Sequence, residues 1–216
     1  SVCSRLRSGR DTVRSGYRKR DKGDNMSRAY GYIFDFDGVL ARTMEPHFIC
    51  YKQALAEVGV PLIKKQFYSQ AGMTALEQIK CFCDLAGVET DYAAVYARKK
   101  ELFKDKLMQA KPIHCNIELF NALKGLGFKT AIATGSSRLS VEPVVGLFNL
   151  KPDALVTAED VTRGKPNPDL FLEAAAQICV KPENCIVIED SDAGIEAARA
   201  AGMLAMRFYD FYEQQA

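Results

Sequence analysis

The sequence predicts an α/β fold, with a parallel sheet core flanked by helices and an all-helical insertion after the first strand. Three observations predict it. From residue 30 onward, short apolar runs of strand character alternate with amphipathic runs of helical spacing. Residues 44–110 interrupt that alternation and read as helix alone. The length, 216 residues, suits one domain of ordinary size carrying a modest insertion. Repeated βα units need crossover connections, which place helices over both faces of a parallel sheet.

The first strand is YGYIFDF, residues 30–36. EPHFICYKQALAEVG (45–59) follows with apolar residues at helical spacing and stops at Gly59. TALEQIKCFCDLAG (74–87) and DYAAVYARKKELFKDKLMQA (91–110) repeat the helical signal, each opened by a polar residue. After Pro112 the pattern changes. NIELFNALKGLG (116–127) is a helix, FKTAIAT (128–134) a strand, and SRLSVEPVVGLFN (137–149) a helix around Pro143. DALVT (153–157) is a short strand and NPDLFLEAAAQIC (167–179) a helix. NCIVIED (184–190) is a strand, DAGIEAARAAG (192–202) a helix and MLAMRF (203–208) the last strand.

Hydrophobic residues make up 48% of the chain, enough for a core, and no apolar run reaches the length of a membrane span. The formal net charge is only +2, yet residues 1–28 carry nine Lys/Arg against three Asp/Glu. That segment has almost no apolar content with which to order itself, so it is expected to be a disordered basic tail. It lacks the apolar centre of a secretory signal, and Met26 is a candidate start. The stretch before Met26 reads as an expression-derived or otherwise non-functional appendage, with a nucleic-acid or transit role as the alternative. The seven cysteines are scattered, odd in number and without a C-x-x-C pair. That argues against a zinc site or disulfide framework and for reduced thiols in the cytoplasm.

In open α/β sheets, ligand sites lie beyond the carboxyl ends of the strands. Four polar clusters fall there: Asp35 and Asp37; Thr134, Gly135 and Ser136; Lys165 in TRGKPNPD; and Glu189 with Asp190. Singly, each has a structural reading. Asp37-Gly38 could be a hairpin turn. Thr134 to Ser136 could be a turn and helix cap, Lys165 a solvated loop lysine, and Glu189-Asp190 acids suited to a helix dipole. Their occurrence together, each after a strand, points instead to one site. It also explains two aspartates beside a core strand, where an unpartnered carboxylate is costly.

These residues make the chain resemble the haloacid dehalogenase-like superfamily, in its phosphatase and phosphomutase branch. DFDGVL matches the first motif, ATGSS the second, RGKPNPD the third and IEDSDAGIEAARAAGM the fourth, so the resemblance spans residues 31–207. It implies a Rossmann-like core over 29–43 and 112–216, and a helical cap over 44–111, after the tail of 1–28. The chain also resembles β-phosphoglucomutase at Thr43 and His47, eight and twelve residues past Asp35.

The resemblance implies the chemistry as well. Asp35 would be the nucleophile, forming an aspartyl-phosphate, and Asp37 the general acid and base. Mg²⁺ would be held by Asp35, the main-chain carbonyl of Asp37 and Asp190, with Glu189 assisting directly or through water. Lys165 would bridge Asp35 and the phosphoryl oxygens, and Thr134, Gly135 and Ser136 would hold the same oxygens. Thr43, His47 and Arg138 are candidate substrate contacts, although His47 also reads as a surface histidine and Arg138 as a loop cap. Arg98, Lys99 and Lys100 offer a cation over the site or a solvated helix face. Two positions depart from the branch: Arg42 stands where aspartate is common, and QAGMTALEQI (70–79) lacks the arginine that mutases place there for a distal phosphate. Gly72 and Thr74 could still touch substrate.

The expected function is therefore Mg²⁺-dependent hydrolysis of a small phosphomonoester, a sugar phosphate or similar metabolite. A sugar phosphomutase resembling β-phosphoglucomutase is one alternative. A non-catalytic binding protein with a nucleic-acid-attracting tail is the other. The expected partner is a small phosphorylated metabolite rather than a membrane or nucleic acid. The expected state is a cytoplasmic monomer or weak dimer.

Overall fold

The computed structural model describes residues 30–70 and 73–209; the predicted tail lies outside them. Five strands form a sheet: Gly31–Phe34 (β1), Lys129–Ala133 (β4), Ala154–Val156 (β5), Cys185–Glu189 (β6) and Leu204–Arg207 (β7). Their order is β5-β4-β1-β6-β7, and every pairing is parallel. The central strand is β1, where Ile33 lies in register with Ala131 on one side and Val187 on the other.

Alternation along a strand sends neighbouring side chains to opposite faces. Ile33, Ala131 and Val187 pack on one face against Asp169–Gln177 (α7) and Asp192–Ala200 (α8), through Leu170, Phe171 and Ala197. Phe34, Ile132 and Ile188 pack on the other against His114–Gly125 (α5) and Arg138–Leu147 (α6), through Phe120, Val141 and Val144. Both faces are covered, so these strands read as continuous apolar runs. The helix α6 does contain Pro143, as the sequence suggested; the proline is on the exposed side, where water can serve the backbone group it leaves unpaired.

Four helices fill the insertion: Met44–Ala56 (α1), Lys64–Ser69 (α2), Ala75–Ala86 (α3) and Tyr92–Leu107 (α4). They have their own core of Phe48, Tyr51, Leu55, Phe67, Ile79, Phe82 and Val95. Thr74 and Asp91, the polar residues that open two of these runs, are N-caps. Thr74 forms a capping box with Glu77, and the Asp91 carboxylate accepts from the N–H groups of Ala93 and Ala94. The six-residue α2 was not separately foreseen, because KKQFYS buries only Phe67 and shows no periodicity. Nor was the antiparallel pair Ala41–Arg42 (β2) with Lys111–Pro112 (β3). This pair joins the two crossings between core and insertion, so the chain leaves and returns at one place. Ile113 N–H donates to the Leu40 carbonyl at 3.0 Å, and Asn116 Nδ2 to that of Val39 at 2.8 Å. Among the described residues, no helix is long and apolar enough to cross a membrane.

Candidate active site

Strand register assembles the site. Phe34 pairs with Ile132 and Ile188, so the residues that follow on the three strands emerge together at one edge. Asp35 N–H donates to the Ile188 carbonyl at 3.0 Å, and Thr134 N–H to that of Val156 at 3.0 Å. Phe36 is buried in the core, which leaves Asp35 and Asp37 projecting together away from it. The four clusters of the sequence reading therefore meet beyond the ends of β1, β4 and β6.

Lys165 reaches this point from the loop after β5. Its Nζ donates to Asp35 Oδ1 and to Glu189 Oε1, each at 2.6 Å, and the side chain is fully buried. Burial alone would lower its pKa, but the two carboxylates hold it above the usual lysine range. The other oxygen of Glu189 accepts from the N–H and the hydroxyl of Ser191, at 2.5 and 3.0 Å. Glycines make room for this packing. A Cβ at Gly194 would overlap the Glu189 carboxylate, and one at Gly38, whose φ is 85°, would overlap that of Asp190.

Asp35, Glu189 and Asp190 offer carboxylate oxygens within 4.8 Å of one another. Burial pushes the Asp35 carboxyl up to about 7, with Glu189 and Asp37 adding to the rise and Lys165 opposing it. Asp190 is raised too, by burial and by the charges of Glu189 and Asp35. One ammonium faces more carboxylates than it can neutralise. That excess of hard oxygen donors fits a divalent cation such as Mg²⁺.

Asp37 is held differently. Its carboxylate accepts from the Thr43 hydroxyl, from Ser136 Oγ at 2.6 Å and from Thr134 Oγ1 at 3.3 Å, and His47 Nε2 lies 3.3 Å away. Burial pushes its pKa up, but His47 and the bonds from Ser136 and Thr43 hold it well below the usual carboxylate range. Gly135 lies in the same wall, and Ser136 N–H donates to Thr134 Oγ1 at 3.0 Å.

The basic run of α4 divides. Arg98 is bound by Glu57 and Glu101, and Lys100 lies over the Tyr96 ring. Lys99 alone turns inward. Its Nζ is 2.8 Å from His47 Nδ1 and sits over the rings of Tyr51 and Phe103 at 4.8 and 4.7 Å. An ammonium donating to Nδ1 leaves the histidine proton on Nε2, facing Asp37. Burial and the Lys99 charge lower the His47 pKa, and burial lowers that of Lys99 to about 8. The signal was present in the sequence: Val95, Lys99 and Phe103 share one buried stripe, where a lysine is out of place.

Arg138 departs from the expectation of a substrate contact. Its guanidinium donates to Asp160 at 2.7 Å and to the Leu155 carbonyl at 3.2 Å, which fixes it on the core surface rather than in the cleft. Arg42 reaches the Pro112 carbonyl at 3.3 Å, across the β2–β3 pair. Gly72 lies outside the described residues. The cleft, open to solvent, is walled on the insertion side by Tyr51, Phe67, Met73, Ala75, Gln78 and Tyr96, with His47 and Lys99. Sequence reasoning did not single out the first six of these: Tyr51, Gln78 and Tyr96 belong to ordinary helical patterns, Phe67 lies in the short α2, and Met73 and Ala75 lie on either side of the α3 N-cap.

The family model described as haloacid dehalogenase-like hydrolase matches residues 32–207. A β-phosphoglucomutase of Bacillus subtilis is 30% identical over 184 residues, covering 81% of this chain and 80% of that protein. A fructose-1-phosphate phosphatase of Escherichia coli is 30% identical over 181 residues, covering 83% and 96%. A hydrolase of Pseudomonas syringae superposes with a TM-score of 0.78 at 25% identity, covering 86% of this chain and 89% of that one. The matched span runs from β1 to β7 and takes in each strand end that contributes to the cleft; on these grounds the chain belongs to the haloacid dehalogenase-like hydrolase family.

Proposed function

We propose that this chain is a Mg²⁺-dependent phosphatase of small phosphomonoesters that works through an aspartyl-phosphate on Asp35. The observation that carries the reading is the buried Lys165, shared at 2.6 Å between Asp35 and Glu189, with Asp37 on separate donors beside them. It sets a cation against Asp35, which must carry the attacking charge, and leaves Asp37 to Thr43, Ser136 and His47; a divalent cation beside Asp35 would bring down the carboxyl that burial raises.

Asp35, Asp190 and the Asp37 main-chain carbonyl, with Glu189 at the edge, would hold Mg²⁺, which supplies charge to offset the repulsion between carboxylate and phosphoryl dianion. Lys165 fixes Asp35 and adds a second cation for the phosphoryl oxygens. The Asp35 oxygen forms a bond to phosphorus as the bond to the ester oxygen breaks. Asp37 takes up a proton from solvent as a dianion arrives beside it, which raises its pKa, and gives that proton to the departing oxygen. Water then attacks the phosphorus of the aspartyl-phosphate and gives its proton to Asp37. Phosphate leaves and the Asp35 carboxylate is restored. The sum is ester plus water to alcohol plus phosphate.

The wall supplied by the insertion is mostly neutral, with Tyr51, Phe67, Met73, Ala75, Gln78 and Tyr96; the cation that lines it, Lys99, is engaged by His47. This supports a substrate whose remainder is uncharged, such as a sugar monophosphate. The relative named β-phosphoglucomutase favours a second reading, a mutase, which needs a cation to hold a distal phosphate. One assay decides. Sugar monophosphates, β-glucose 1-phosphate among them, are supplied with Mg²⁺ and a trace of glucose 1,6-bisphosphate, and released phosphate and isomerised sugar are followed together. Phosphate release should outrun isomerisation and stop when Mg²⁺ is chelated. Faster isomerisation would replace the phosphatase reading with the mutase one.

A further inference from the structure

Gly164 precedes Lys165, is buried, and faces the insertion rather than the core. A Cβ placed on it would lie 2.6 Å from Thr74 Cγ2, 2.8 Å from Glu77 Oε2 and 3.0 Å from Thr74 N. Real Cβ atoms do not come so close, so this position is glycine for reasons of space. The backbone does not call for it: Gly164 is absent from the glycines of positive φ.

Neither side of the contact can easily give way. On the core side, the Gly164 carbonyl accepts from Asn167 N–H at 3.0 Å and from Asn167 Nδ2 at 3.1 Å. Arg163 is clamped to Asp169 through two bonds of 3.0 and 2.7 Å. On the insertion side, Thr74 and Glu77 form the capping box of α3. Glu77 Oε2 accepts from Thr74 N–H at 2.9 Å and from Thr74 Oγ1 at 2.6 Å. Moving Glu77 aside would uncap the helix.

We propose that Gly164 is a positioning residue: the space left by its missing side chain seats the N-terminus of α3 and so sets where the helical cap closes over the cleft. Met73, Ala75 and Gln78 flank that N-terminus and line the cleft, so the seat fixes the wall that meets the substrate's remote end. The same loop carries Lys165, so one short segment both holds the nucleophile's partner and stops the cap. A methyl group at this position acts as a wedge. It leaves the Lys165–Asp35–Glu189 cluster in place and displaces the wall.

The inference borrows from the proposed function only for its kinetic readout, so the test has a second one. Gly164→Ala is compared with the parent on fructose 1-phosphate, which has a remainder for the cap to read, and on acetyl phosphate, which has almost none. KM for fructose 1-phosphate should rise at least about fivefold, the low end of what overpacking costs, while kcat for acetyl phosphate stays within about twofold. Amide hydrogen exchange over residues 74–79 should quicken. Adding Thr74→Ser removes the nearest methyl and keeps the capping hydroxyl, so it should recover much of both effects. Unchanged KM and exchange in Gly164→Ala would overturn the proposal. So would equal loss on both substrates without rescue by Thr74→Ser, since that marks a loop that has merely been damaged. Should the parent turn over neither substrate, the functional reading fails, and the exchange and its rescue still decide the role of Gly164.

Discussion

Lys99 has its ammonium against His47 and between two aromatic rings, where a charged amine is expensive. Burial brings its pKa from 10.5 to about 8. The sign follows from proton counts. Between those two values the unfolded chain holds a proton on Lys99 that the folded chain has released, so stability rises with pH across that window. In urea unfolding, this group should add about 2 kcal/mol to the parent's stability between pH 8 and pH 10. Lys99→Met should lose that rise. The Lys99 share is read as the difference between the two proteins, because burial also raises the pKa of Cys50, Cys83, Cys185 and Tyr51, which act in the opposite direction in both. Parallel pH curves for the two proteins would show that Lys99 is solvated instead. At this scale the gathering of Asp35, Asp37, Lys165 and Asp190 was legible only from their occurrence together, each at or after a strand end, since singly each has a structural reading. Lys99 was not singled out from Arg98 and Lys100, although its spacing from Val95 and Phe103 puts it on the apolar stripe of α4.

The turn from β6 into α8 shows how an element can serve a side chain. Ser191 caps the helix by accepting from Gly194 N–H at 3.0 Å, while its own N–H and hydroxyl bind Glu189. Gly194 lies flat against the same carboxylate. Alanine there would gain helix propensity, about 1 kcal/mol, but must push Glu189 aside. Gly194→Ala should therefore cost a net 1–2 kcal/mol or so in unfolding free energy. It should also slow phosphate release, because Glu189 is one of the two anchors of Lys165. An alanine variant of parental stability and rate would mean that Glu189 is not held by this turn. Elements with strong local signals were readable in advance. The helix α3 has a capping pair at its start and Gly87, of positive φ, at its end. The β2–β3 pair was invisible, since two residues a side carry no periodicity and pair across 70 positions of chain.

Across the whole molecule, the order β5-β4-β1-β6-β7 puts the strand that bears the two aspartates between those that end in Thr134 and Glu189. Parallel register then makes neighbours of residues separated by about 100 and 150 positions. The sheet and its site were legible together, because a βα repeat determines which strand ends face one way. The wall facing them was not. It depends on how the inserted helices lean on the core, through contacts such as Thr74 on Gly164, which no local pattern encodes. The account rests on Asp35 as the atom donor to phosphorus, and replacing it tests the account most directly. Asp35→Asn keeps the side chain's size, leaves Lys165 its bond to Glu189, and removes the attacking charge. With Mg²⁺ and the best sugar phosphate of the parent, the folded variant should release phosphate at least roughly a thousandfold more slowly. Phosphate release by folded Asp35→Asn at near the parental rate would contradict the account.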